Sequence, residues 1–470
     1  MSRRGTTSRE TDWLTVFLYF GLVLVGFLMI YAVGYVDSPE MFDFSAKHGA
    51  HLMWIGISLI AGLAAVITDA RFYKVFAYPI YGIGILLLVL VLFLGKDIAG
   101  ARSWFELPFG IGRFQPSEFA KFATCIALAA YLSTLNITLT KGMKHRMYAI
   151  GIIILPVILI IIQGDAGSAL VFTALFLVLF RAGMPAILYM LGSIVAILSV
   201  IALIFKPLTI LAILLLFFSI VYIGNMKTRQ LWWLLGFTML ATVTVLGFRY
   251  DMIEYALTLD GVAILLLKTL TWQERRGQLV TFVSVILVAS IAYSLSVNYA
   301  FNNLLQSHQQ DRINVWLQPS KSDPLGAAYN LDKSKTAISA GGLTGRGFRQ
   351  GQITGLKYVP EQSTDFIFCT VGEEHGFFGT ATLILLYISL ILRITFIAER
   401  QREDFTRYYA YGIASILFFH FFVNIGMTMG VMPIIGIPLP FISYGGSSLL
   451  SFTILLAVLI KLDSTRLTRN

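Results

Sequence analysis

Long apolar runs, separated by short polar turns, follow one another along most of the chain. A helix needs about 18 or more apolar residues to cross the hydrocarbon core of a membrane. We predict about fourteen such spans, at residues 13–36, 49–68, 74–94, 117–136, 147–163, 168–183, 186–206, 208–224, 232–248, 253–270, 279–300, 376–398, 408–430 and 446–461. The pattern therefore predicts an all-α polytopic integral membrane protein.

The longest break in this pattern is the polar stretch 301–365, which we predict to be a large extracytoplasmic loop. Loops of this length without regular structure are usually functional, and polar backbone near a bilayer must be satisfied by protein or water. The stretch ends in Asp365, directly before the apolar sequence resumes at Phe366. We therefore expect this segment to carry the chemistry.

Composition and charge support the membrane interpretation. The chain is 57% hydrophobic and 13% charged, which excludes an ordinary soluble domain. The net charge of +10 would suit nucleic acid, but the basic residues lie at turns that face the cytoplasm when the N-terminus is inside. We predict cytoplasmic termini and no nucleic-acid partner. Two cysteines and six scattered histidines predict neither a disulfide framework nor a zinc helix.

Polar residues of the outer segments 95–115 and 163–167, and of the helix starts beside them, are candidates for chemistry. Pro116 and Ser117 are typical of a helix start, and Glu118 and Lys121 then share one face. Charges just inside a membrane helix are normally paired, so this is either a structural ion pair or a substrate contact. Asp165 either caps the next helix or faces a polar cavity.

The polar stretch contains a basic, glycine-rich part, with Lys333, Lys335 and Arg346 around Gly341–Gly347. Arg and Lys bind phosphate, and glycine lets backbone N–H groups approach oxygens, so we favour an anionic ligand here. The alternative is a solvated basic loop. A carboxylate at the water–membrane edge, such as Asp365, is partly desolvated and suits a general base, unless it only caps a helix. A helix here would place Glu373 on roughly the same face.

Residues 433–448 contain three prolines, which forbid a continuous helix. Non-helical backbone at membrane depth needs cover from protein or a cavity, so we predict a re-entrant wall of the outer cavity.

Together these segments resemble the SEDS family of bacterial cell-wall polymerases. The matching motifs are Gly100-Ala-Arg-Ser-Trp104, Gln115-Pro-Ser-Glu118-x-x-Lys121, Asp323-Pro-Leu-Gly326, Thr364-Asp365-Phe-Ile-Phe368, Glu373-Glu374 and Pro440-Phe-Ile-Ser-Tyr-Gly-Gly446. Asn424-Ile-Gly-Met427 and Gly436-Ile-Pro-Leu-Pro440 are closer to the RodA branch than to the FtsW branch.

The resemblance implies a SEDS-type helical bundle of about ten core spans, so that this chain carries about four more. It divides the chain into a cytoplasmic tail 1–12, an N-terminal transmembrane region 13–206, inserted transmembrane segments 207–278, a transmembrane helix 279–300, the catalytic loop 301–365, a C-terminal transmembrane region 366–462 with the re-entrant segment 431–447, and a tail 463–470.

The resemblance also implies a peptidoglycan glycosyltransferase in the bacterial plasma (inner) membrane, which polymerises lipid II for cell elongation and shape. It implies a class B penicillin-binding protein and the elongation machinery as partners. Asp365 is expected to be catalytic, acting as general base on the acceptor GlcNAc 4-hydroxyl, with inversion at the donor sugar. We expect the substrate to contact Arg102, Trp104, Glu118, Lys121, Asp165, Arg312, Lys335, Arg346 and Ser443.

Loop Arg and Lys residues, or a divalent cation such as Mg²⁺ or Mn²⁺, would stabilise the diphosphate leaving group. Two other functions use the same residues. One is a lipid II flippase, and the other is a non-catalytic scaffold for the partner synthase.

Overall fold

A computed structural model describes residues 11–34, 40, 42–44, 46–98, 100–106, 112–134, 139–140, 142–205, 277–323 and 326–466. The chain divides into two compact units. One comprises Met1–Ala186 and Asp323–Asn470, and the other is Ile187–Ser322. The expected spans 208–224, 232–248 and 253–270 lie outside the described residues.

The first part of the chain is a series of apolar helices. Their bounds are α1 Trp13–Gly34, α2 Lys47–Ile67, α3 Ala70–Val75, α4 Ala77–Leu94, α5 Pro116–Leu132 and α6 Met143–Ile162. The expected span 168–183 is divided into α7 (Ala166–Val171), a 3₁₀ turn (Phe172–Leu175) and α8 (Phe176–Arg181). The Thr173 hydroxyl donates to the carbonyl of Leu170 (2.6 Å), a local bond of the kind that bends helices.

The polar stretch is more ordered than expected. The unit Ile187–Ser322 contains most of α9 (Ala186–Ile204), together with α10 (Gly277–Asn303), α11 (Ser307–Leu317) and a 3₁₀ turn. The main unit resumes with α12 (Ala327–Gly341) and α13 (Gln352–Gly355). The stretch 301–365 is therefore partly helical, because one-sided burial is enough to order polar helices.

The C-terminal region contains α14 (Ile367–Arg400), α15 (Asp404–Met429) and α16 (Gly446–Ser464). Within the described ranges, eight helices are long and apolar enough to cross a membrane: α1, α2, α4, α6, α9, α14, α15 and α16. The prediction of a polytopic helical membrane protein is confirmed.

A small antiparallel sheet interrupts the helices between α4 and α5. Its strands are β1 (Lys96–Ile98), β2 (Ala101–Glu106) and β3 (Arg113–Phe114). Gly100 supplies the left-handed backbone (φ 82°) that the β1–β2 turn requires. The all-α prediction therefore missed one short element, which carries the Gly100–Trp104 motif.

The core of the main unit lies around α5, α15 and α16. These three helices pack against one another, and α14 packs against α1, α12 and α15. The most apolar stretches of α15 and α16 are 61% and 72% buried, against 22% for α4 and α6, so α15 and α16 are central.

Candidate active site

Asp365 lies in a turn that directly precedes α14. The backbone N–H groups of Asp365 and Phe366 both donate to the carbonyl of Glu361 (3.1 Å each), and the Asp365 side chain is partly exposed. Because the helix begins only at Ile367, the expectation that Asp365 and Glu373 share one helix face is wrong.

An asparagine of α15 fixes the backbone of this turn. Asn424 Nδ2 donates to the carbonyl of Asp365 (2.8 Å) and to that of Ile437 (2.8 Å). One amide group therefore joins the turn to the proline-rich segment 431–445, since both of its N–H donors are used.

The proline-rich segment itself supplies two more bonds. Ser443 Oγ donates to the carbonyl of Thr364 (2.5 Å) and accepts from the N–H of Leu439 (2.8 Å). The N–H of Tyr444 donates to the carbonyl of Ser363 (2.8 Å). The carbonyls of residues 363, 364 and 365 are thus all held, and Ser443 positions this backbone.

Residues 431–445 are not helical, as predicted, and α16 begins at Gly446. The segment packs closely between α1 and α7. A β-carbon at Gly26 of α1 would lie 2.4 Å from the carbonyl oxygen of Phe441, and one at Gly167 would lie 2.8 Å from that of Ile435. Protein therefore covers the irregular backbone, as membrane depth requires.

A lysine that sequence reasoning missed also reaches this turn. Lys47, at the start of α2, is exposed, and its Nζ lies 3.4 Å from Ser363 Oγ. No sequence signal indicates this contact, because the two residues are 316 positions apart.

Glu118 and Lys121 form the ion pair that their spacing predicts. Lys121 Nζ lies 2.8 Å from Glu118 Oε1, and the two side chains are 1% and 4% exposed respectively. Pro116 begins α5 as predicted, and Gln115 occupies the N-cap position before it.

His420 of α15 completes this buried pair. Its Nε2 lies 3.0 Å from Lys121 Nζ, and its Nδ1 lies 2.9 Å from the carbonyl oxygen of Pro438. An ammonium group can only donate, so Nε2 accepts and Nδ1 carries the proton that it donates to Pro438. The imidazole is therefore neutral in this arrangement.

Asp165 caps a helix and also makes a second contact. Its Oδ1 accepts from the N–H of Ser168 (3.0 Å), and its Oδ2 accepts from Gln115 Nε2 (2.8 Å). The N–H of Gln115 donates to Ser447 Oγ (3.1 Å). The capping alternative is confirmed, and Asp165 also joins α7 to the start of α5.

Arg102 and Trp104 lie on β2, one exposed and the other partly buried. Trp104 pairs with Lys96 across the sheet. The N–H of Arg102 donates to the carbonyl of Gln163 (2.9 Å), which joins the sheet to the end of α6.

Glu373 has a structural function. It is fully buried; Oε1 accepts from the N–H of Ile353 (2.9 Å), and Oε2 accepts from the N–H (2.8 Å) and hydroxyl (2.7 Å) of Thr354. This carboxylate therefore holds the short helix α13.

Arg346 donates to Gln352 Oε1 (2.8 Å) and lies 3.9 Å from Glu373 Oε1.

The glycine-rich stretch packs against α14. The N–H groups of Arg346 and Gly347 donate to the carbonyls of Glu373 and Glu374 (3.0 Å each). A β-carbon at Gly345 would lie 2.1 Å from the Glu374 oxygen. Protein carbonyls therefore already occupy the N–H groups of Arg346 and Gly347, while an anionic ligand at the basic side chains of this stretch stays a prediction.

Lys335 lies on α12, is exposed, and has no hydrogen-bond or ion-pair partner in the described part of the chain. A β-carbon at Gly430 would lie 2.7 Å from its Nζ, so the ammonium sits at the end of α15. Asn424, which binds the Asp365 carbonyl, lies only about 9 Å from Gly430 along the axis of α15. Lys335 and Asp365 therefore both lie against the same end of this helix. Arg312 lies on α11 in the other unit.

A resident metal is not supported by the side chains present. Among the described residues, no group of three or more His, Cys, Asp or Glu side chains could hold a metal ion.

The comparisons with known proteins agree with the motifs. The family model for cell cycle proteins of the FtsW, RodA and SpoVE type matches residues 12–210 and 205–467. Peptidoglycan glycosyltransferase RodA of Treponema pallidum (strain Nichols) is 31% identical over 479 residues, covering 99% of this chain and all of the relative. Peptidoglycan glycosyltransferase MrdB of Escherichia coli (strain K12) is 30% identical, covering 84% of this chain and 80% of the relative.

Solved structures share the fold. One, from work on the structural coordination of polymerization and crosslinking by a peptidoglycan synthase complex, has a TM-score of 0.61 and 26% identity, covering 97% of this chain and 98% of the other. RodA of Thermus thermophilus has a TM-score of 0.55 and 23% identity, covering 97% of each chain. The chain therefore belongs to the FtsW, RodA and SpoVE family of cell cycle proteins.

Proposed function

We propose that this chain polymerises glycan strands from lipid II, with the turn around Asp365 as the reaction centre. The chain is a multi-pass membrane protein and a peptidoglycan glycosyltransferase. The observation that carries the proposal is a partly exposed carboxylate on a turn whose neighbouring carbonyls are all held by hydrogen bonds. Such preorganisation is what general base catalysis needs.

In the proposed reaction, the Asp365 carboxylate removes the proton from the 4-hydroxyl of the acceptor GlcNAc. The resulting oxygen attacks the anomeric carbon of the donor MurNAc. The bond from that carbon to undecaprenyl diphosphate breaks, and the configuration inverts.

Negative charge develops on the leaving diphosphate, so cations near it lower the barrier. Lys335 is the best placed of the predicted residues, because it is exposed, has no partner among the described residues and shares the end of α15 with the turn. Lys47 is a second candidate, since its ammonium contacts Ser363. Arg346 is engaged by Gln352, which favours a structural function for it.

Any divalent cation that the reaction uses, Mg²⁺ or Mn²⁺, would enter with the substrate. Mg²⁺ is usually held by one or two carboxylates together with substrate phosphates, and this needs no cage of protein ligands. Substrate contacts by Arg102, Trp104, Glu118, Lys121, Asp165, Arg312 and Ser443 remain part of the proposal.

We further propose a class B penicillin-binding protein as membrane partner, acting with the elongation machinery in the bacterial inner membrane, with both termini in the cytoplasm. The likeness to a solved peptidoglycan synthase complex and the RodA and MrdB relatives support this assignment.

The test is Asp365→Asn in purified protein, assayed with the partner synthase, lipid II, a divalent cation and a transpeptidase inhibitor, with glycan length read on a gel. We expect a loss of at least about 10²–10⁴-fold, the usual contribution of a general base. Asp332→Asn is the matched control, because Asp332 is exposed on α12 and its side chain takes no part in the turn.

Unfolding midpoints should be equal for the two variants and the wild type. Normal polymer from Asp365→Asn would overturn the assignment. Loss of polymer from both variants would place the effect in the fold of the segment instead. Lipid II translocation without polymer in the wild type would favour the flippase.

A further inference from the structure

A cavity of about 370 Å³ lies at the far end of α14 from the Asp365 turn. Its lining includes Gln401, Arg402, Thr406 and Arg466, from the α14–α15 connection, the start of α15 and the end of α16. Asp365 lies just before α14, which runs for 34 residues and ends at Arg400, so the cavity is separate from the reaction centre.

Arg402 is the notable side chain of this cavity. It is exposed, and its guanidinium has no hydrogen-bond or ion-pair partner within the ranges that the structure describes. The two neighbouring arginines, in contrast, both have partners. Arg400 pairs with Asp463, and Arg407 donates to Asp404 (2.8 Å) and to the carbonyl of Gln401 (2.7 Å).

The carboxylates around the cavity are already neutralised. Glu403 pairs with Lys74 (2.8 Å). Asp463 is fully buried and accepts from Gln401 Nε2 (2.6 Å) as well as from two arginines. The charged residues of the lining are Arg402, Glu403 and Arg466. Because Glu403 pairs with Lys74 and Arg466 with Asp463, the positive charge of Arg402 is the one left in excess among the described lining residues.

Helix geometry adds to this excess. The 26-residue helix α15 begins at the cavity, and the side chain of its N-cap, Glu403, does not cap it. Asp404 in the first turn pairs with Arg407, so the first N–H groups and the positive end of the dipole still favour an anion. The Thr406 hydroxyl in the first turn makes no hydrogen bond to a described residue.

We propose that this cavity binds the phosphate of an anionic phospholipid head group, with Arg402 as its main contact. The volume is at the small end of ligand sites, which suits a head group. A lipid is favoured over free phosphate because Phe396, about a turn and a half earlier on α14, is 56% exposed and offers an apolar surface for an acyl chain. Basic pockets between membrane helices on the cytoplasmic side are known to hold such head groups.

The test measures binding, not turnover, so it does not depend on the proposed reaction. Full-length protein in detergent is titrated with short-chain phosphatidylglycerol, phosphatidylcholine or inorganic phosphate at about 0.15 M salt, and thermal stabilisation and native mass spectra are recorded. We expect phosphatidylglycerol alone to bind, and Arg402→Gln to weaken it about tenfold, the usual effect of losing a charged hydrogen bond.

Arg71→Gln is the matched control, because Arg71 is an exposed cation of α3, the helix that carries Lys74, and does not line the cavity. At this salt concentration it should change the affinity by less than about twofold, since an exposed charge that does not line the cavity is screened. Equal losses from both variants would overturn the proposal in favour of general charge attraction. Binding of inorganic phosphate as tightly as of phosphatidylglycerol would overturn the lipid assignment.

Discussion

At the scale of single residues, the group formed by Glu118, Lys121 and His420 places two opposite charges in the core. The side chains of Glu118 and Lys121 are almost fully excluded from water, and each neutralises the other. Removing one partner from such a buried pair lowers the stability of the fold by about 3–5 kcal/mol. This geometry favours the structural alternative for the pair, while a contact with substrate stays a proposal.

A stability cycle separates these two functions. We expect Lys121→Met to destabilise the protein by about 3–5 kcal/mol, because Glu118 is left buried without its cation. The double variant with Glu118→Gln should recover most of that loss, as measured by unfolding in detergent. Recovery of stability without recovery of polymerisation would indicate a substrate contact, and wild-type stability of Lys121→Met alone would contradict the structural function.

The sequence identified those site residues whose partners are local. The spacing of three placed Glu118 and Lys121 together, and the end of the polar stretch singled out Asp365. His420, Asn424 and Lys47 could not be found in this way, because their contacts span 299, 59 and 316 positions. Such contacts depend on how helices pack, which periodicity does not determine.

At the scale of elements, the junction between α12 and α14 depends on glycines. Gly376 has φ 60° and ψ −154°, a backbone conformation that essentially only glycine adopts, and it kinks α14. A β-carbon there would lie 2.4 Å from the backbone nitrogen of Gly345. Close backbone contact therefore explains Gly376, and it explains Gly341 and Gly345 in the same way.

Gly376→Ala should destabilise the protein by more than the strain of about 1–3 kcal/mol that such a conformation costs, because the clash is with backbone. The measurement is the unfolding midpoint in detergent, together with proteolysis of the glycine-rich stretch. Gly355→Ala is the control, since nothing lies within 4 Å of a β-carbon at Gly355. Equal stability of the two variants would disprove the close-contact explanation.

Apolar runs predicted the first and last helices of the chain well, as 13–36 against Trp13–Gly34 and 446–461 against Gly446–Ser464 illustrate. The helix α12 was missed because hydropathy alone does not detect a polar helix. Its buried residues Leu331, Ser334, Ala337 and Gly341 recur at helical spacing, so periodicity carried a signal that hydropathy did not.

At the scale of the whole molecule, a charge network joins segments that are far apart in the chain. Asp12, just before α1, accepts from Arg393 Nε (3.1 Å) and from Arg400 (3.4 Å), both on α14. Arg400 also pairs with Asp463 on α16. Three helices are thus fixed to one another at one end of the main unit.

This network predicts a pH dependence of stability. Burial alone would raise the pKa of Asp12, but hydrogen bonds from Arg393 and Thr15 outweigh it and lower the pKa to about 2. A lowered pKa in the folded state stabilises the fold above the unfolded value, and this stabilisation is lost as the pH falls toward the folded value. The difference in unfolding midpoint between wild type and Asp12→Asn should be constant above about pH 5 and shrink below about pH 4.

Glu106→Gln is the control for that measurement, because Glu106 pairs with Lys96 on the surface, where ion pairs contribute little. A difference for Asp12→Asn that grows as the pH falls would contradict the assigned sign.

The bonds that hold the Asp365 turn have a genetic consequence. Three consecutive carbonyls are fixed by Asn424, Ser443 and Tyr444, so the position of the proposed base is encoded about 60–80 codons away from the base itself. Variation in that distant part of the gene would therefore alter the geometry of the proposed reaction centre without changing Asp365 itself. The turn and the proline-rich segment should therefore be inherited as one unit, and exchanging either alone between relatives would separate the base from its support.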